Sequence, residues 1–462
     1  MLLWLTLLAG VVTYHLVGPQ TLDANPIRAL APSATLTAVA WQEGASARVS
    51  VLGPGTNADL EGWRAVVREF TQRTGWTVDL ESTPDVASVL SARAEEGAPP
   101  DIAVVPGVAL VECYARAGKL VPLERVLDVE ALRAQYPPGW LELGAVQGQL
   151  YGLIYRAVNK SIVWYDPGEF QRRKWTVPLT WRDLVRLGER IAGNGLAPWA
   201  LGLDRGALGT DWIENILLRT GGPEVYDRWV RHEIPWTHPA LREAFLRWAE
   251  IVGRPRNLWG GPPGALGRQG DQAVEALYQE IPEAYLDLDG SWVQPRIADR
   301  FPSQRPGEDY DFFPLPAMSL EESVPVLAGA DVLVLFNETA PAVALLRYLA
   351  TGEAQAVTVE RGGSIAPHRS VRLADYPDPL SRRAARQLLE AEVVRFDGSD
   401  QMPPAVERAF RQAVAEFVAN PGRLETILAD LERVAREAYG NAPGGCPGGT
   451  PTMGPPQGGP AP

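Results

Sequence analysis

Two spacings of apolar and polar positions alternate along the chain, and together they mark out its elements. Arg48 to Leu52 changes between polar and apolar as a strand does, until Gly53-Pro-Gly-Thr-Asn57-Ala-Asp59 breaks the run. From Leu60 the spacing is helical. Trp63, Val66, Val67 and Phe70 share one face, with Glu61, Arg64, Arg68 and Arg73 opposite, and Gly75 closes the helix. Val78 to Leu80 returns to the strand spacing, which completes a β-α-β unit whose first loop lies at the carboxyl edge of a sheet. A second unit follows, with a helix over Val86 to Glu95, a strand over Ile102 to Val105, and a helix over Val108 to Ala117 ended by Gly118.

The same alternation runs on. Gln149 to Tyr165 holds two apolar runs around Arg156, Asn159 and Lys160. Thr180 is the N-cap of a helix opening at Trp181, and Gly209-Thr-Asp211-Trp212 opens another, with a carboxylate and an indole in its first turn. Leu286 and Leu288 alternate with acidic neighbours, which predicts a half-buried strand. It ends in a Gly290-Ser291 turn that offers Trp292 at the carboxyl end, where open α/β sheets bind ligands. Val326 to Phe336 is an apolar strand broken by Asp331, whose carboxylate must be paired or near water because its burial alone costs several kcal/mol. A helix over Pro341 to Thr351 precedes a Gly362-Gly363-Ser364 turn, and residues 381 to 439 are mainly helical except at the loop Asp397-Gly-Ser-Asp400-Gln-Met-Pro403. The class is α/β.

The ends differ from the body. Leu2 to Val17 is an apolar run of the length of a signal-peptide core or a short membrane span, and a Pro, Ala and Thr-rich tether follows it. No Lys or Arg precedes the run and no Cys follows it closely, so a lipid attachment there is not expected. From Gly440 the chain is Gly, Pro and Thr with few apolar residues, the composition of a disordered tail.

With 462 residues, two lobes of ordinary size are expected. A net charge of -13 excludes nucleic acid and anionic membrane as partners, since both need clustered cations. Only three of the 43 basic residues are lysines, Lys119, Lys160 and Lys174, a bias that reads as genomic rather than functional. Fifteen Trp exceed what cores need and suggest a ligand surface. Cys113 lies in a helical pattern and Cys446 in the tail, so a bond between them is not expected; the four histidines have no ligand spacing, and no structural zinc and no cofactor are expected. Nucleophile-elbow, zincin and Walker motifs are absent. Acids such as Asp211, Asp289, Asp331 and Asp400 suit a paired-carboxylate glycosidase, but equally suit hydroxyl binding, so an enzyme is not expected.

The order of parts resembles the extracellular solute-binding proteins of ABC sugar importers. It comprises a strand ending Gly-Ser-Trp292, the aromatic run Tyr310-Asp-Phe-Phe-Pro-Leu-Pro316, the Gly329-Ala-Asp331 strand, a helix carrying Arg347-Tyr-Leu-Ala-Thr-Gly-Glu-Ala-Gln355, and Gly362-Gly363-Ser-Ile-Ala-Pro367. The loop Phe396-Asp-Gly-Ser-Asp-Gln-Met-Pro403 is similar to that of the alpha-glucoside-binding branch. This resemblance implies a periplasmic-binding-protein-like fold, two α/β lobes joined by crossover strands with a ligand cleft between them. Lobe 1 would take 46–155 and 325–372, and lobe 2 would take 156–324 and 373–440, after an anchor and tether over 1–45 and before a tail over 441–462. It implies a monomer outside the cytoplasm, touching membrane only through its N-terminal segment, with a carbohydrate ligand and ABC permease transmembrane subunits as partners. A sensory receptor of the same fold is the alternative.

Trp292, Ser291 and Asp289 are then expected at the ligand, with Ser364 and Asp400 lining the cleft. Tyr155 and Arg156 fall at the first crossing, facing the cleft, and Asp331 lies near it. Asp211 and Trp212 suit a sugar, the planar ring packing on C-H groups while the carboxylate accepts hydroxyls. Thr56 and Asn57 either bond ligand hydroxyls or cap their helix. The Pro106-Gly107 loop offers backbone and shape rather than a side chain.

Overall fold

The computed structural model describes residues 47–440, apart from 55, 56, 84 and 205. The apolar Leu2 to Val17 run, the tail after Gly440 and Thr56 lie outside the described residues, as does the side chain of Asn57. Eleven strands are described. β1 (Arg48–Pro54), β2 (Thr77–Thr83) and β3 (Ile102–Pro106) come first, followed by the short pair β4 (Ala145–Val146) and β5 (Gln149–Leu150). β6 (Gly152–Asn159), β7 (Ile162–Tyr165), β8 (Asp287–Leu288), β9 (Asp311–Pro314), β10 (Val326–Leu335) and β11 (Val394–Phe396) complete the set.

Two sheets organise the core. The first has the order β11-β10-β3-β1-β2, with β6 on the other edge of β10. β10 is the join: Val326 to Ala328 pairs parallel with β11, Asp331 to Leu335 pairs antiparallel with β3, and β6 runs antiparallel along nearly its whole length. Alternation along these strands fills both faces. Val51, Ile102, Val104, Leu333 and Leu335 enter one buried cluster with Trp63 and Phe70, while Leu52, Ala103, Val105, Val332 and Val334 enter another with Leu90 and Tyr114. The second sheet is β8-β7-β9. Val163, Leu288 and Phe313 face a large helical cluster, and Ile162, Trp164 and Phe312 face a smaller one.

The chain passes between sheets at Lys160-Ser161, from β6 to β7, and again between β9 and β10. The first passage is clamped by Asn215: Ser161 Oγ donates to its Oδ1 (2.6 Å), and its Nδ2 donates to the Lys160 and Asp211 carbonyls (3.0 and 2.9 Å). The second is held by buried Arg219, which donates to the carbonyls of Pro316, Leu315 and Pro325 at 3.0, 2.8 and 3.1 Å. Its remaining bonds go to the Asn215 carbonyl and Oδ1 at 3.0 and 2.9 Å.

Local expectations hold widely. The helix Val86–Glu95 has the expected limits, Thr180 forms a capping box with Asp183, and Gly75 follows the first helix with φ 74°. Trp229, Trp236 and Trp248 are core. Cys113 corrects an expectation: no free cysteine is present among the described residues, and Cys113 is disulfide-bonded.

Candidate functional site

The site grows from the first passage between the sheets. Lys160 follows the last residue of β6, and on the neighbouring β10 Gly329 leaves a lane for its stem: a Cβ there would lie 3.0 Å from Lys160 Cε and 2.8 Å from Val158 Cγ2. At the end of that lane the ammonium meets two carboxylates, Asp211 Oδ1 at 3.2 Å and Asp397 Oδ2 in a shorter contact. Lys160 and both acids are largely buried, with side chains 14%, 7% and 3% exposed. The ammonium also stands over the Trp292 ring, 5.7 Å from its centroid.

Each partner is delivered by a different segment. Asp211 comes from the helix Ala207–Thr220, one turn before Asn215. That helix starts at Ala207 behind left-handed Gly206, so Asp211 is in the second turn and does not cap it; this corrects the first-turn expectation. Asp397 and Asp400 come from the loop after β11. The carboxylate of Glu214 holds this loop by accepting from Gly398 N (2.6 Å), Ser399 N (3.1 Å) and the Tyr226 hydroxyl (2.8 Å). Asp397 Oδ1 then accepts from Ser399 Oγ (2.7 Å) and Asp400 N (3.1 Å). On its far side the loop touches the end of β3. A Cβ on Gly107, whose φ is 76°, would lie 2.7 Å from Asp400 Cβ and 2.8 Å from its carbonyl oxygen. Shape and backbone are what the Pro106-Gly107 loop supplies here.

Trp292 arrives from the turn after β8. A Cβ on Gly290 would fall 1.8 Å from Trp292 Cζ3, so the indole folds back onto a backbone that only glycine leaves open. Ser291 anchors this turn: its N donates to the Asn159 carbonyl (2.9 Å), and its Oγ donates to the Gly363 carbonyl (2.7 Å) while accepting from Asn159 N (3.2 Å). Asp289, one residue before Gly290, accepts from Gly290 N at 2.7 Å.

One cation thus serves several acids. Burial alone would strip the Lys160 proton, but the charges of Asp211, Asp397 and Asp400 outweigh it and keep the ammonium protonated well above its ordinary range. Burial also raises the acids. Asp397, which takes the strongest share of Lys160, is nonetheless held low, whereas burial leaves Asp211 raised despite the same neighbour. Asp289 and Asp400 are pushed up to about 7 by burial, the second also by Asp397.

Several expected site residues lie elsewhere. Trp212 is buried in the helical core, its ring 5.0 Å from Trp199 and 6.3 Å from Trp248, and offers no face to a ligand. Tyr155 is buried too, 5.0 Å from Trp63, because β6 continues to Asn159 and the crossing comes five residues after it. Arg156 and Asp331 pair with each other at 2.6 Å, which resolves the carboxylate in the apolar strand. Ser291 is buried, its hydroxyl committed to backbone, and Ser364 is buried beside the Gly362-Gly363 turn. Asp287 faces the smaller core cluster rather than solvent, so the predicted half-buried strand is buried on both faces. Sequence reasoning missed Lys160, Asp397 and Glu214 as site residues. The one available signal was the rarity of lysine, with three among 43 basic residues. Among the described residues no acid, His or Cys group is arranged to hold a metal, and no helix is long and apolar enough to cross a membrane.

Comparison with known proteins gives a consistent picture. The family model for bacterial extracellular solute-binding proteins matches residues 54–356. The osmoprotective compounds-binding protein GgtB of Synechocystis sp. is 37% identical over 363 residues, 78% of this chain and 85% of that protein. The alpha-glucosides-binding periplasmic protein AglE of Rhizobium meliloti is 30% identical over 385 residues, 80% of this chain and 83% of its own. Among solved structures, a chitin oligosaccharide binding protein superposes with a TM-score of 0.75 at 20% identity, covering 86% of this chain and 100% of that one. The solute receptor AcbH, described as preferring galactopyranose, gives 0.74 at 21% identity, with 86% of this chain and 99% of that one covered. At these identities the likeness speaks for the fold of two α/β lobes.

Proposed function

Because this chain belongs to the family of bacterial extracellular solute-binding proteins, we propose that it captures a sugar of the alpha-glucoside class outside the cytoplasm and delivers it to an ABC permease. The observation that carries the ligand class is the wall made by Trp292 with Asp211, Asp289, Asp397 and Asp400 around Lys160. An indole face packs on the C-H groups of a pyranose, and carboxyl groups, which accept when ionised and can also donate when protonated, pair with its hydroxyls. Two of the more similar relatives bear names of sugar-type or osmoprotective ligands, which supports this class. The Leu2 to Val17 run belongs to the same reading as its export signal or anchor, Thr56 and Asn57 as residues that either bond ligand hydroxyls or cap their helix, and a monomer as its state.

Binding works by closure. The lobe around the first sheet and the lobe around the second rotate about the passages at Lys160-Ser161 and between β9 and β10, and ligand stabilises the closed arrangement by its higher affinity for it. A thermal-shift and calorimetry panel of trehalose, sucrose, maltose, galactose and chitooligosaccharides tests the class. A bound alpha-glucoside should stabilise the fold by about 2.7 kcal/mol at a hundred times its dissociation constant. Stabilisation by chitooligosaccharide or galactose alone would overturn the alpha-glucoside assignment, and silence across the panel would overturn the sugar.

A further inference from the structure

An aromatic face ringed by carboxylates is chemically ambiguous. It suits sugar hydroxyls, and it suits an organic cation equally well, because alkylammonium groups are drawn both to an indole face and to buried acids. Lys160 resolves the ambiguity from within. Its ammonium already stands over Trp292 and already joins Asp211 and Asp397, so the place of a ligand cation is filled by the protein itself.

Three features make this a built arrangement. The lysine sits at the passage between the sheets, where Asn215 fixes its backbone carbonyl. The chain on β10 gives up a side chain at Gly329 to admit its stem. The loop carrying Asp397 and Asp400 is held in turn by Glu214 through the backbone of Gly398 and Ser399, so the acids are brought to the ammonium by a structure that does not depend on it.

We propose that Lys160 is the specificity-determining residue of the cleft, a resident cation that reserves the Trp292 wall for uncharged polyhydroxy solutes and shuts out organic cations. This rests on the sugar-binding reading above. Two of its N-H donors are taken by Asp211 and Asp397, and the third is left for a ligand oxygen on the Trp292 side. A cationic solute meets a like charge at the wall that would otherwise attract it.

Calorimetry with n-propylammonium, the shape of the part of the side chain that alanine lacks, and with the sugar identified by the panel tests the proposal on wild type, Lys160→Ala and Lys160→Met. Wild type should bind sugar and ignore the amine. Lys160→Ala should lose roughly tenfold or more in sugar affinity, as the loss of a hydrogen bond from a charged donor does. It should gain saturable amine binding, and the amine should restore part of the sugar affinity. Lys160→Met fills the lane without charge, so it should lose sugar affinity and gain no amine site; it also serves if the alanine variant does not fold, its unchanged sugar affinity then overturning the proposal. Amine binding equal in wild type and Lys160→Ala would overturn it, as would sugar affinity in Lys160→Ala within twofold of wild type. If wild type binds no sugar at all, the sugar reading fails, while the amine arm still reads whether Lys160 fills a cation place.

Discussion

Trp292 and Asp287 stand five residues apart in one turn-and-strand segment, and they should answer to different measurements. Truncating Trp292 to Ala removes a half-buried ring at the ligand wall and should cost about 2 to 4 kcal/mol of sugar binding, with little change in the denaturant midpoint. Calorimetry and urea melts on one sample check this, and a large stability loss with affinity intact would make the ring core. Asp287 is fully buried, with both carboxyl oxygens lacking a hydrogen-bond partner, and burial followed by the charge of Asp289 drives its pKa well up. A raised folded value means its contribution is full below the ordinary carboxylate range near pH 4 and is lost as pH rises through the folded value. The melting temperature of wild type should therefore fall relative to Asp287→Asn as pH rises above the ordinary carboxylate range near pH 4, and a difference that stays constant with pH would show that Asp287 is not raised. Sequence reading was good at naming residue types and weak at assigning faces. Trp212 and Trp292 look alike in a string, yet one is walled in by Trp199 and Trp248 and the other closes on a glycine and a lysine. Which sheet face has a second apolar layer depends on distant helices, so the burial of Asp287 was not readable from its neighbours.

Elements were more legible, because spacing and capping are local. The strand and helix limits through Gly118 agree with the periods to within a few residues, and Asp331 signalled its partner through its cost. What local pattern could not give is how the passages between sheets are fastened. Arg219 spends its guanidinium on carbonyl-type oxygens of the second passage and its own helix, and burial lowers its pKa to about 9, which leaves it charged at neutral pH. Arg219→Met should cost on the order of 3 kcal/mol or more, since several buried acceptors lose a charged donor at once. Arg219→Lys should recover little, because one ammonium cannot reproduce the planar fork. Urea melts of the two variants test this, and a lysine variant as stable as wild type would show that charge alone fastens the passage.

At the scale of the whole molecule, two sheets joined by short passages should move as bodies. Small-angle scattering should report a smaller radius of gyration with saturating sugar than without, and an unchanged radius would mean a rigid binder. That the fold has two α/β lobes was legible from length and the order of parts. The partnership of β10 was not, since nothing in a strand's own residues tells which strands will flank it. That partnership bears on how the protein is made. β10 is the strand on which β3, β6 and β11 all pair, yet it follows β7, β8, β9 and the helices between them in the chain. As the polypeptide emerges from its amino end, β1, β2, β3 and β6 come out early and wait with open edges until residues 326–335 arrive. The first sheet is thus completed only after β7, β8 and β9 have been made, so its closure is a late, long-range step of folding.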